Sequence, residues 1–210
     1  MRWLSLGILV ASGVLLVAFW GDVPDRWITH WGPHGPDGWA IKSFSAALAP
    51  LIIGLFTWLA FEVTAIWMAQ RESKAELPPQ MISVQVAVVR ATGFAVSLLI
   101  AGITLALPFV HPRSPLPIVV TALVDLGLIV GGAMLWAARR TRRLRAAGAA
   151  IPEGYEGVFY RNPRDSRLWV PKVAGIGWTI NFAHRFAWPM MIVLMGLPLA
   201  VVVLVGALAR

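Results

Sequence analysis

Residues 44–68 read FSAALAPLIIGLFTWLAFEVTAIWM, an apolar run that contains a single ionisable residue, Glu62. A helix needs about 20 mostly apolar residues to cross a bilayer, and this run is long enough to do so. Four further stretches have the same character, and they are Trp3–Trp20, Val86–Pro108, Pro117–Ala138 and Trp188–Leu208. The sequence therefore predicts an all-α membrane protein with about five transmembrane helices.

The composition of the whole chain agrees with that class. Of the 210 residues, 58% are apolar and only 13% are charged, and the mean hydropathy is +0.72. These values argue against a large soluble domain. The chain has no cysteine, which excludes disulfides, thiolate metal sites and cysteine nucleophiles.

The distribution of basic residues predicts the topology. With the N-terminus inside, 14 of the 18 lysines and arginines fall on the cytoplasmic side and 4 fall outside. Because basic residues collect in cytoplasmic loops, the split predicts an N-in, C-out protein. It also explains the net charge of +8 without nucleic-acid binding. The expected segments are 1–68 with an outer loop at 21–43, 69–138, a cytoplasmic segment at 139–187, and 188–210.

The expected outer loop has the most distinctive polar sequence. Residues 24–42 read PDRWITHWGPHGPDGWAIK, and the glycines and prolines predict a turn-rich structure rather than a helix. The candidate binding residues of this loop are His30, Trp31, His34, Asp37, Trp39 and Lys42.

Three chemical roles remain open for this loop. Its polar side chains can hydrogen-bond the loop's own backbone, they can bind a partner, or His30, His34 and Asp37 can bind a metal as the centre of a membrane enzyme. The glycines and prolines exclude the helix that would place both histidines on one face. No metal or other cofactor is expected, and an enzyme is the less favoured class.

The same loop resembles a known family. The order Pro24, His30-Trp31, Gly32, Gly35, Asp37-Gly38-Trp39 and Lys42 is similar to the motif between helices one and two of a bacterial membrane family. That family includes the immunity proteins that protect cells against the sporulation-delaying toxin. The resemblance implies a bacterial cytoplasmic (inner) membrane location. The Gly-to-Asp spacing is one residue shorter here, and the C-terminal half does not resemble the toxin-immunity protein.

The expected cytoplasmic segment opens with RRTRRLR, residues 139–145, which predicts a topology anchor that contacts anionic lipids of the inner leaflet. It continues with GVFYRNPRDSRLWVPK, residues 157–172. The turn sequence Asn162-Pro163-Arg164-Asp165 predicts a small β-hairpin that pairs Gly157–Arg161 with Arg167–Pro171. The residues of interest in this motif are Tyr160, Asn162, Asp165, Arg167, Lys172, Trp178 and Asn181.

This second motif resembles a short bacterial domain of unknown function. The similarity runs from Phe159-Tyr160 through Val170-Pro171-Lys172 to Gly177-Trp178-Thr179-x-Asn181-Phe182-Ala183. The resemblance implies no chemistry. We expect Asp165 and Arg167 to interact in the turn, and we expect the segment to offer either a structural hairpin or a docking surface.

Three ionisable residues fall inside expected spans, where a charge needs a partner or water. Glu62 and Arg90 lie at similar depths on consecutive helices, so we expect them to pair. Asp125 lies about 12 Å into helix four, near the midplane. Ser97, Thr92 and Thr104 on helix three are its candidate hydrogen-bond partners.

Two function classes follow, beside the enzyme centred on the outer-loop histidines. The favoured one is a non-enzymatic immunity or signal-relay protein. Its outer loop would contact an extracytoplasmic peptide, lipid or envelope component, and its cytoplasmic segment would contact a protein partner or the inner leaflet. The other is a small transporter or channel that uses Asp125, with Glu62 and Arg90 near its inner mouth.

Overall fold

The computed structural model describes residues 1–32, 34–70, 79–109, 116–172 and 178–194. This part of the chain is mostly helical and contains five α-helices. They are α1 (Arg2–Ala18), α2 (Phe44–Gln70), α3 (Pro79–Phe109), α4 (Leu116–Ala146) and α5, of which residues 187–194 are described. Six short strands form three antiparallel pairs: β1 (Arg26–Gly32) with β2 (Gly35–Ile41), β3 (Tyr155–Glu156) with β4 (Phe159–Tyr160), and β5 (Trp169–Pro171) with β6 (Trp178–Ile180).

Three of the described helices are long and apolar enough to cross a membrane, judged by length and composition. They contain the candidate spans Phe44–Gln70, Pro79–Phe109 and Ile118–Ala146. Helix α1 is a shorter apolar helix of 17 residues. The fifth predicted span begins as a helix, and the rest of it lies outside the described residues.

Two predicted helix boundaries are wrong, and in both cases the helix is longer. Helix α3 begins at Pro79, before the predicted start at Val86, because proline is well tolerated in the first turn of a helix. Helix α4 continues through the arginine run to Ala146. It ends just before Gly148, whose φ of +87° suits glycine at a helix C-terminus.

The chain divides into two compact units. The first contains Met1–Ala65 and Val89–Gly132, and the second contains Ile66–Val88 and Ala133–Arg210. In the first unit, Leu9 of α1, Leu51 of α2 and Ala101 of α3 form a buried cluster. A Cβ added at Gly54 would stand 2.9 Å from side-chain atoms of both Leu9 and Ile100, so glycine permits this close helix packing.

The second unit has its own core, built where the short strands meet helical residues. Met81 packs with Tyr155, Tyr160 and Val170, and all four are buried. A second cluster joins Val84 and Val88 of α3 to Ala137 of α4. Two-stranded sheets are marginal alone, so this apolar packing is what stabilises the two short pairs of the C-terminal region.

The strand pairing of the C-terminal region differs from the prediction. Phe159–Tyr160 pairs with Tyr155–Glu156, and Trp169–Pro171 pairs with Trp178–Ile180. The predicted hairpin between Gly157–Arg161 and Arg167–Pro171 is therefore wrong. The Asn162-Pro163-Arg164-Asp165 turn does form, but its ends are joined through Asn181, which makes a parallel bridge with Tyr160.

Candidate functional site

The segment predicted as a turn-rich loop is a β-hairpin, which we call the 26–41 hairpin (Arg26–Ile41). The prediction that this segment is not a helix is confirmed, but the two strands were not predicted. Its base is fixed to the helices by Trp27, which is 2% exposed and packs with Leu16, Val23 and Ala47. Lys42 reinforces the base, because its Nζ donates to the backbone oxygen of Val23 at 2.6 Å.

The exposed part of the hairpin carries a polar pair. The register shifts on both sides of His30, and this irregularity places its ring beside Asp37 of the other strand. His30 Nδ1 lies 2.5 Å from Asp37 Oδ1, and the two side chains are 71% and 53% exposed. A Cβ at Gly38, opposite His30, would stand 2.6 Å from the His30 Cβ, so glycine leaves room for the pair.

The structure separates the other predicted residues of the hairpin. His34 is exposed, Trp31 is half-buried, and Trp39 is 49% exposed with the Arg26 guanidinium over its ring at 5.2 Å. The described residues contain no group of three or more His, Asp or Glu side chains that could hold a metal ion. Only His30 and Asp37 of the proposed metal triad are brought together.

The predicted pair inside the first unit forms, with an additional member. Arg90 Nη2 lies 3.5 Å from Glu62 Oε2, and Arg2 Nε lies 3.8 Å from the same oxygen. The Glu62 side chain is only 7% exposed. Arg2 was not foreseen as a partner, although its place at the start of α1 matches the end of α2 that carries Glu62. Trp58 fixes Arg2 by donating its Nε1 hydrogen to the Arg2 backbone oxygen at 3.3 Å.

Asp125 lies at a cleft between α3 and α4 in the first unit. The cleft has a volume of about 240 Å³ and is lined mainly by apolar side chains, with Thr121 beside Asp125. Two of the predicted hydrogen-bond partners of Asp125 donate to backbone oxygens of α3 instead. Ser97 donates to the backbone oxygen of Gly93, and Thr104 donates to that of Ile100, each at 2.8 Å.

Asn181 is the centre of the C-terminal motif. Its side chain is fully buried and makes four hydrogen bonds. Nδ2 donates to the backbone oxygens of Asn162 and Asp165, and Oδ1 accepts from the backbone N–H groups of Asn162 and Ala183, all between 2.8 and 3.1 Å. Both the donor and the acceptor capacity of the amide are thus satisfied.

Asp165 links this centre to two further motif residues. Its carboxylate accepts two hydrogen bonds from the Arg167 guanidinium, at 2.9 and 2.8 Å, and one from the Tyr160 hydroxyl at 3.0 Å. Hydrogen bonds from Arg167, from its side chain first and then its backbone, hold the pKa of Asp165 well below its usual range. Burial raises the pKa of the Tyr160 hydroxyl. The expected Asp165–Arg167 interaction is confirmed.

Two predicted motif residues stand apart from this network. Lys172 is exposed, and Trp178 is 61% exposed on β6. Two of the arginines predicted to contact lipid also contact the motif. Arg142 pairs with Glu156 at 2.7 Å, and Arg145 donates to the backbone oxygen of Tyr155 at 2.7 Å. Glu156 was missed because nothing in the sequence distinguishes it from a solvated acidic residue.

The network overlaps a recognised sequence family. Residues 163–188 match a family of unknown function (DUF5808). The matched stretch contains Asp165, Arg167, both strands of the β5–β6 pair and Asn181, and it agrees with the resemblance inferred from the motif. No curated protein and no solved structure matches the chain.

Proposed function

We propose that this chain is a bacterial inner-membrane protein with five spans, an inside N-terminus and an outside C-terminus. Three helices of sufficient length and apolarity support the proposal, and so does the 14-to-4 division of basic residues between the expected sides. In this arrangement the 26–41 hairpin lies outside and the C-terminal motif lies in the cytoplasm.

Within that class, the protein is of the immunity or signal-relay type, and the 26–41 hairpin binds an extracytoplasmic peptide. The observation that carries this proposal is the contrast within the hairpin. Trp27 is buried at its base, whereas His30 and Asp37 are exposed on the same two strands. An exposed polar pair on a well-packed base favours recognition, because the hairpin loses little conformational entropy when it binds a partner.

A peptide fits this hairpin better than a lipid does. The pair of strands forms a sheet of its own, so each strand has an edge that pairs with no other described strand. An extended peptide can add to such an edge through backbone hydrogen bonds. The His30–Asp37 pair then offers a donor and an acceptor to a polar side chain of the peptide.

In vivo cross-linking tests this function. A photo-cross-linking residue replaces exposed His34 in the full-length protein, which is expressed in its native membrane. We expect a discrete cross-linked peptide or protein that is lost in the His30→Ala/Asp37→Ala variant. Arg164 carries the same cross-linker as a control for the other predicted side. An unchanged cross-link in the double variant, or no cross-link at all, would contradict the proposal.

A second function, transport, has one observation in its favour. Asp125 opens onto the 240 Å³ cleft between α3 and α4 instead of bonding Ser97 or Thr104. A carboxylate in such a position can carry a proton or bind a cation. Proton flux into liposomes that contain the protein tests it. Transport requires a flux that Asp125→Asn abolishes, and no flux above empty liposomes rejects it.

A further inference from the structure

The β5–β6 pair has one buried face and one exposed aromatic face. Val170 is 5% exposed and packs into the core with Met81 and Tyr160. Trp169 lies opposite Ile180 and Pro171 lies opposite Trp178. Because side chains alternate along a strand, these four residues share the face opposite Val170. We call it the tryptophan face (Trp169, Pro171, Trp178 and Ile180).

The two tryptophans of this face are open to their surroundings. Trp169 is 46% exposed and Trp178 is 61% exposed. Exposed aromatic residues that sit together mark an interaction surface. The indole ring has a large apolar area and a polar N–H group, which is why tryptophan is enriched at the boundary between lipid and water.

The charge around the tryptophan face is basic. Lys172 is exposed directly after Pro171, and Arg167 is 63% exposed two residues before Trp169. The matched stretch 163–188 contains four lysines and arginines and one acid, Asp165. That acid is 11% exposed and already bonded to Arg167. This stretch thus has excess positive charge, which complements the phosphates of anionic lipid.

The chain that follows continues the apolar surface. Phe182 contacts Phe159 and Trp188 at ring-centroid distances of 5.5 and 5.6 Å, so the aromatic residues connect β4 to α5. In α5, Trp188 and Ile192 are 62% and 69% exposed. A helix with such exposed apolar side chains belongs in lipid, and it starts only seven residues after β6 ends. The tryptophan face is therefore close in the chain to a point of membrane entry.

We infer that the tryptophan face docks on the surface of an anionic phospholipid bilayer, with both indoles at the headgroup level and Lys172 at the phosphates. This inference rests on the proposed membrane location. It gives the DUF5808 stretch a physical role: the Asn181 and Asp165 network holds two short strands so that their aromatic face meets the lipid.

Site-directed spin labelling of the full-length protein tests the docking. Since the chain has no cysteine, a nitroxide can be placed at one position at a time without other changes. The variants are Trp169→Cys and Trp178→Cys on the face, and Glu153→Cys as the aqueous control, because the Glu153 side chain is 73% exposed and pairs with Arg164. Phe56→Cys on α2, 70% exposed, reports on helix insertion. Liposomes contain either phosphatidylglycerol with phosphatidylethanolamine or phosphatidylcholine alone.

The measurement is the ratio of nitroxide accessibility to oxygen and to a water-soluble nickel chelate. In the anionic liposomes, we expect a several-fold higher ratio at positions 169 and 178 than at 153. We expect the ratio to fall with the Lys172→Ala substitution or in phosphatidylcholine. If the accessibility ratio at positions 169 and 178 equals that at position 153 while position 56 is lipid-exposed, the tryptophan face does not dock on lipid. A protein partner would then replace lipid as the occupant of the face. If position 56 is also aqueous, the membrane location itself is wrong.

Discussion

Asn181 holds Asn162 by two reciprocal hydrogen bonds: the Asn181 amide donates to the Asn162 backbone oxygen at 2.9 Å and accepts from its N–H group at 3.0 Å. The two residues are 19 positions apart, and Asn181 is fully buried. This contact closes the Asn162–Asp165 turn against β6. The Asn181 side chain thus connects the turn that contains Asp165 to the end of β6, shortly before α5 begins.

Replacement of Asn181 with alanine should destabilise the C-terminal unit. The change removes one hydrogen bond from each of four backbone groups, of which the Asn162 oxygen keeps its bond from the Asp165 N–H. A buried unsatisfied group costs about 1–3 kcal/mol. We expect a loss of roughly 2–4 kcal/mol, because some of these groups gain access to water. Hydrogen exchange of residues 155–172 in detergent micelles measures the loss. Asn162→Ala is the matched control, since it removes the side-chain bond to the Arg164 N–H in the turn and keeps the backbone groups that Asn181 bonds. Equal protection in both variants would contradict the role of Asn181.

The Asp165–Arg167 interaction should make this unit sensitive to acid. Because the folded-state pKa of Asp165 is lowered, chiefly by hydrogen bonds from Arg167, the stabilisation is complete above the unfolded pKa of about 3.9. It is lost as the pH falls below that value through the folded-state pKa. Unfolding of wild type and Asp165→Asn should therefore differ at pH 7 and converge in strong acid. Glu153→Gln, at an exposed pair with Arg164, should show little difference at either pH. A pH-independent gap between wild type and Asp165→Asn would count against the linkage.

Gly157 should resist replacement for two separate reasons. Its φ is +67°, and an added Cβ would stand 2.8 Å from the backbone nitrogen of Ala138 in α4. The left-handed conformation costs a non-glycine residue about 1–2 kcal/mol, and overpacking costs about 1–3 kcal/mol more. Gly148 has a φ of +87° but no atom near its added Cβ, so Gly148→Ala isolates the conformational cost. The midpoint of thermal unfolding should fall clearly further for Gly157→Ala. Similar falls would show that the contact with α4 is unimportant.

The buried carboxylate of Glu62 should depend on its two arginines unequally. Removing one member of a buried ion pair costs about 3–5 kcal/mol, and exposure reduces the cost. Arg90→Gln should therefore destabilise most, because it leaves the buried Glu62 carboxylate with only Arg2, at 3.8 Å. Arg2→Gln should cost less, since Arg2 is 44% exposed and Arg90 remains at 3.5 Å. Glu62→Gln should also cost less than Arg90→Gln, because it removes the buried charge itself and leaves two partly exposed arginines. A double-mutant cycle between Glu62 and Arg90 in detergent measures their coupling. Coupling near zero would mean that the two charges are close without stabilising the fold.

The long apolar helices could be predicted well because a long apolar run leaves few alternatives. Residues 44–68 contain one ionisable residue and form α2. Helix ends were harder to place. Helix α3 begins at Pro79 although the predicted apolar run starts at Val86, and α4 continues through the arginines although the predicted run ends at Ala138. Charge alone does not end a helix when its residues have good helix propensity.

Strand pairing could not be predicted because the strands are too short to specify a partner. Phe159–Tyr160 has two residues and Trp169–Pro171 has three, so contacts distant in sequence decide which strand each meets. Asn181 makes those contacts; it is one of the predicted motif residues, but the sequence does not show which backbone groups it bonds. In the 26–41 hairpin, the glycines and prolines led to the prediction of turns. Two strands nevertheless form, because the irregular register around His30 accommodates these residues within the pairing.

The proposal that the hairpin and the C-terminal motif face opposite sides of a bacterial inner membrane is tested most directly by cysteine labelling in intact cells. The chain has no cysteine, so His34→Cys and Arg164→Cys each provide a single exposed thiol. We predict that a membrane-impermeant maleimide labels position 34 in intact spheroplasts and labels position 164 only after the membrane is permeabilised. Labelling of both positions, or of position 164 alone, in intact spheroplasts would contradict the account.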